Sequence, residues 1–145
     1  MAEGKELDDI VMNVDLCPTF EEIAGASSEG VDGHSLIPLL TGAAKEWRTG
    51  ALVEHKGPHK EPDDPDAPGP KGANPTTYEA LRTANAVYVE YADGEREYHD
   101  LSSDPDELRN TFTSLAKADQ IALHASLQAL KDCHGPACWR PEPRK

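Results

Sequence analysis

A chain of 145 residues can bury one modest core, and its 27 acidic against 14 basic residues leave a net charge of −13. That acidity excludes a general nucleic-acid binder, which needs a basic face to meet phosphates. No apolar run approaches the ~20 residues of a membrane span, and the acidic stretch Glu3–Asp9 lacks the apolar segment of a secretory signal.

In chain order, Ile10–Met12 is a short apolar run predicted as extended chain or strand. Asp15–Gly25 reads as a helix. Asp15 is placed to cap its start, and Pro18 falls in the first turn, where a missing N–H costs little. Glu21 and Glu22 suit the helix dipole, and Gly25 is a natural stop. Leu16, Phe20 and Ile23 share one face, and Cys17 is expected to be a small buried residue. Asp32-Gly33 reads as a turn, followed by a short apolar helical segment through Leu36, Leu39 and Leu40. Residues 56–76 hold six of the twelve prolines and keep no periodicity, so they are predicted as a long loop.

Four strands are expected near 50–55, 78–84, 86–92 and 95–101. Asp93-Gly94 between the last two suggests a two-residue type I′ hairpin. Tyr91 then faces Arg96 and Val89 faces Tyr98. Val87, Val89, Tyr91 and Tyr98 would share an apolar face, with Tyr88, Glu90, Glu97 and His99 on a wetter one. Leu123, Leu127 and Leu130 recur at spacings of four and three and define a helix over 117–131, expected to cover the apolar face. Cys133 and Cys138 bracket a tight loop that could close as a disulfide. Zinc is disfavoured, because the spacing is not CxxC and no second ligand pair follows. The fold class is therefore α+β: a four-stranded antiparallel sheet packed by a C-terminal helix and preceded by a helical segment.

Several of these stretches together resemble the sulfatases. Asn13-Val14-Asp15-Leu16 with Pro18-Thr19-Phe20, then Asp32-Gly33, Ser35-Leu36 and Pro38-Leu39-Leu40, then Trp47-Arg48 and Leu52–His55 follow the family pattern in order. Arg82-Thr83, Tyr88, Glu97–Leu101 and Asp104-Pro105 with Glu107 and Asn110 resemble the family's C-terminal region. Val87 and His99 depart from it, at positions where relatives carry lysine and tyrosine. Thr77-Tyr78 and the Cys133–Cys138 loop are similar to the branch that includes glucosamine-6-sulfatases. The resemblance implies residues 1–48 as the tail end of an α/β domain (strand, helix, short helix). It implies 49–138 as a C-terminal subdomain carrying the Pro-rich loop at 56–76, with 139–145 a disordered tail.

The activity implied is hydrolysis of sulfate esters of a sulfated sugar or an aryl sulfate. Full-length relatives, often exported, resemble alkaline phosphatases in fold and use calcium and a formylglycine formed within a C/S-x-P-x-R signature. Neither Cys17, Cys133 nor Cys138 stands in such a signature, and Asp8-Asp9 does not match the family's metal aspartates. No catalytic or metal residue is assigned, and the chain is expected to be inactive alone. Its implied partner is the N-terminal sulfatase domain, or a second copy, meeting the apolar face of residues 10–40. Leu16, Phe20, Ile23, Leu36, Leu39 and Leu40 are then expected to be exposed. His55, Lys56 and His59, where the fourth-last strand enters the Pro-rich loop, are the candidates for contact with an anionic sugar. His34, His99, His124 and His134 read as isolated. The alternative is a non-enzymatic acidic interaction module derived from the same subdomain.

Overall fold

The computed structural model describes residues 4, 6–27, 29–57 and 75–139. They form two compact units, residues 1–51 with 124–145, and residues 52–123. Most of the Pro-rich loop, His59 included, and residues 140–145 lie outside the described residues.

The second unit is built on a four-stranded sheet in the order β1 (Gly50–His55), β2 (Tyr78–Thr83), β3 (Ala86–Tyr91), β4 (Arg96–Asp100). β2–β3 and β3–β4 are antiparallel. The β3–β4 register differs from the expected one by a single residue: Tyr88 faces Tyr98, Val89 faces Glu97 and Val87 faces His99. The turn is the reason. Tyr91 N–H donates to the Glu95 carbonyl and Gly94 N–H to the Tyr91 carbonyl, both at 3.0 Å. The loop is therefore Ala92-Asp93-Gly94, three residues, with Gly94 at φ +100°. A turn of this length closes with its last residue left-handed, and glycine takes that conformation without a Cβ penalty. Because side chains alternate, the slip carries every β4 residue to the other face.

As a result Glu97, His99 and Leu101 join Tyr78, Ala80, Val87, Val89 and Tyr91. The core of that face is Ala80, Val87 and Val89, with Tyr78, Tyr91 and Leu101 packed against it. The face expected to be wetter is buried too, around Leu81, Tyr88 and Glu90. Tyr88 stacks on Phe112 (5.8 Å) and donates its phenol to Glu90 Oε1 at 2.5 Å. Burial, reinforced by that carboxylate, pushes the phenol far above its usual pKa. Glu90 also faces Arg96 at 3.4 Å across the strands. Replacing Gly94 with alanine is expected to cost about 1–2 kcal/mol, the penalty of a left-handed L-residue. Urea unfolding checks this, and an unchanged midpoint would argue against the three-residue turn.

The Asp104–Asn110 segment closes the outer edge of β4. Asp104 Oδ2 accepts from Arg109 N–H at 2.8 Å. Asn110 accepts from Tyr98 N–H (3.2 Å) and donates to the Arg96 carbonyl (2.9 Å). These bonds satisfy strand groups that an open edge would present to other chains. Arg82 pairs with Glu107 at 2.9 Å, but both are exposed, so the pair adds little.

The first unit holds α1 (Leu16–Ile23) and α2 (Ile37–Thr41). Ile10–Met12 makes no strand and leads into a 3-10 turn at Asn13–Asp15. Gly25 follows α1 at φ +70° and ends it as expected. Asp15 does not cap α1 with its side chain; it is fully buried and engaged elsewhere. Cys17 is exposed, not buried. Leu16, Phe20, Ile23 and Leu40 are exposed, whereas Leu39 is buried and Leu36 half-buried. α3 spans Lys117–Lys131, and Leu127 on its apolar stripe is fully buried. Cys133 and Cys138 form a disulfide, and Trp139, expected in a disordered tail, ends a 3-10 turn from Gly135.

Candidate functional site

On one face of the sheet, aromatic and ionisable side chains run in a line across the strands. His55, the last residue of β1, stacks on Tyr78 at the start of β2, with ring centres 5.1 Å apart. Tyr78 lies opposite Tyr91 in the β2–β3 ladder, and their rings meet at 5.6 Å. The Tyr91 phenol donates to Glu97 Oε2 at 3.3 Å. Burial first, then Glu97, raises the Tyr91 pKa. Glu97 approaches His99 Nε2 at 3.6 Å, and Asp104 approaches His99 Nδ1 at 3.9 Å.

Of the three residues proposed for substrate contact, this strip contains His55. Its Nε2 atom is buried and has no hydrogen-bond partner among the described residues, so the ring is oriented by stacking. Lys56 follows it and is exposed. The chain is then pinned where Gly57 N–H donates to Thr77 Oγ1 at 2.9 Å. Tyr78, Tyr91 and Glu97 complete the strip and fall outside the sequence-based candidates. The signal for them was Thr77-Tyr78 and the β3 alternation, but the one-residue slip hid the meeting of Tyr91 with Glu97.

The first unit holds a second cluster. Asp15 accepts both terminal nitrogens of Arg48, Nη1 onto Oδ2 in a very short contact and Nη2 onto Oδ1 at 2.7 Å. Its carboxylate also accepts Met12 N–H (2.8 Å) and His34 N–H (2.9 Å). Burial alone would raise this carboxyl. The Arg48 hydrogen bonds and the two backbone donors outweigh it and hold the pKa below the usual value. Thr19 Oγ1 donates to the Asp15 carbonyl and accepts from Leu36 N–H, tying α1 to the segment entering α2. His34 is not isolated: its ring lies between Trp47 and Trp139. A cleft of about 370 Å³ opens beside Trp47 and Arg48, lined also by Asp9, Leu39 and Lys45.

Calcium and formylglycine find no fit in these residues. Among the described residues no group of three or more His, Cys, Asp or Glu could hold a metal ion. The most enclosed carboxylate, Asp15, is already matched by Arg48. Cys17 is an exposed thiol followed by Pro18, and the other two cysteines are joined. Among the described residues no helix is long and apolar enough to cross a membrane.

Residues 1–132 match the model of the N-sulphoglucosamine sulphohydrolase C-terminal family. The chain belongs to that family. It is 32% identical over 154 residues to the N-acetylglucosamine-6-sulfatase of Homo sapiens, covering 91% of this chain and 28% of that protein. It is 36% identical over 115 residues to the arylsulfatase K of Xenopus laevis, covering 76% of this chain and 20% of the relative. Among solved structures it is similar to BT4656 in complex with its substrate D-glucosamine-2-N,6-O-disulfate, with a TM-score of 0.59 and 26% identity. That match covers 82% of this chain and 22% of the solved one. This member of the family thus spans about a quarter of the length of the relatives it matches.

Proposed function

We propose that this chain is the C-terminal part of a sulfatase that hydrolyses sulfate esters of a sulfated sugar, and that it is inactive by itself. The observation that carries this reading is the family match over residues 1–132. The names of the relatives, N-acetylglucosamine-6-sulfatase and arylsulfatase K, support sulfate-ester hydrolysis, and the first of them supports the sugar. In this reading the nucleophile and the metal belong to the remainder of the enzyme. The present residues bind and orient. Lys56 meets the anionic sugar as a cation, while His55 holds the strand end against Tyr78. The exposed apolar side chains of α1, Leu16 (47%), Phe20 (63%) and Ile23 (66%), support packing of that helix on the remainder.

The purified chain is expected to release no chromophore from an aryl sulfate with calcium present, beside an active full-length relative as control. Turnover that survives repurification and falls on mutating His55 or His59 would overturn this reading. Within an active fusion carrying this segment, Lys56→Ala is expected to raise KM severalfold with kcat little changed, because a rim charge contributes binding and not transition-state chemistry. An equal loss in kcat with KM unchanged would place Lys56 in the chemical step instead.

A further inference from the structure

The segment Asp32–His34 in the first unit is held from two sides. On one, His34 N–H bonds to Asp15 Oδ1 (2.9 Å), and Gly33 lies directly against the Val14 carbonyl. On the other, the C-terminal disulfide loop reaches over it. Gly135 N–H donates to Asp32 Oδ1 at 2.7 Å, and Trp139 Nε1 donates to the Asp32 carbonyl at 2.9 Å. The His34 imidazole sits between two indoles, 4.5 Å from Trp47 at 15° and 4.7 Å from Trp139 at 6°. Trp47 is fixed by its own N–H bond to the Ile10 carbonyl (2.7 Å). Trp139 depends on the loop that Cys133–Cys138 closes.

We propose that His34 is a proton-operated latch: the neutral imidazole holds Trp139 and the 133–139 loop on the Asp32–His34 segment, and the imidazolium releases them. The charges around the ring set the direction. Arg48, from the segment that supplies Trp47, has its guanidinium 5.3 Å from the Trp47 ring centre, so that ring already faces one cation. Asp15 could attract an imidazolium, but both of its oxygens are engaged by Arg48. Glu22 on α1 is the other attracting carboxylate, and Asp32 on the same loop is bonded to Gly135. The disulfide loop brings one ionisable side chain, His134, which is exposed. Burial, then Arg48, holds the imidazole below the ordinary histidine value against the pull of Asp15 and Glu22. The latched state therefore binds the proton less well than the open one. Its stability is complete above the open-state value, near 6.5, and declines as pH falls from there toward the latched-state value.

The chain's two tryptophans are the two walls of this stack, so its intrinsic fluorescence reports the latch directly. Titrating the full chain from pH 8 to 4 should show one emission transition with its midpoint below 6.5, while far-ultraviolet circular dichroism stays constant. Over the same range the hydrogen-exchange protection of the Gly135 amide should fall at least tenfold. His34→Phe, which keeps a flat ring and cannot be protonated, should abolish both changes; His34→Gln serves as the second non-titrating variant. An emission that does not titrate, a transition that persists in both variants, or Gly135 protection that stays level with pH would each overturn the latch.

Discussion

Arg48→Ala is expected to destabilise the first unit by about 3–5 kcal/mol, the cost of leaving a buried charge without its partner. Asp15 is fully buried and Arg48 is 7% exposed. The guanidinium meets both carboxylate oxygens, a two-point geometry that no other side chain reproduces. Arg48→Lys should recover only part of the loss, since an ammonium makes a point contact. The pH dependence follows from the same pair. The folded-state pKa of Asp15 lies below its unfolded value, so its contribution is present above about pH 4 and is lost as pH falls through the folded value. In Arg48→Ala that acid loss should shrink, because the carboxyl no longer titrates below its normal range. Urea unfolding of both proteins at pH 7 and at about pH 2.5, below the usual carboxylate range, measures this. Equal stability at pH 7 would show that the pair is dispensable.

Gly33→Ala should be nearly as costly, about 3 kcal/mol, at the upper end of what overpacking does. A Cβ at this position would stand 2.0 Å from the Val14 oxygen and 2.6 Å from its carbon. Both are backbone atoms of the turn that presents Asp15, so neither can swing aside. Relief requires the Asp32–His34 segment to move away, which breaks the His34 N–H bond to Asp15. The cause is crowding and not a left-handed backbone, so a serine should be no better tolerated than alanine. Thermal unfolding distinguishes the cases. A variant melting within a degree or two of the parent would mean the segment is free to shift.

The α3 helix and the strands were legible because their signals are local and periodic. Leu123, Leu127 and Leu130 gave the helix, and alternation with Asp93-Gly94 gave the hairpin. The register was not legible, because two- and three-residue loops share the same Asp-Gly and differ only in where the glycine sits. The same slip hid the joining of Glu97 with Tyr91. Asp15 failed for another reason. An aspartate before a helix suits a cap, and only the approach of Arg48, 33 residues on, decides otherwise. His34 looked isolated since Trp47 and Trp139 are distant in sequence. The resemblance of the motifs to sulfatases carried what local patterns could not, namely the family. It did not supply the positions of side chains such as His55, whose ring is stacked on Tyr78 with its Nε2 enclosed.

The most direct test of the proposed role is a fusion. The matched C-terminal region of human N-acetylglucosamine-6-sulfatase would be replaced by this chain, and sulfate release measured from a 6-O-sulfated glucosamine. Turnover is expected from the folded fusion and from neither part alone. A monodisperse, cooperatively folding fusion that releases no sulfate, or release by this chain on its own, would contradict it.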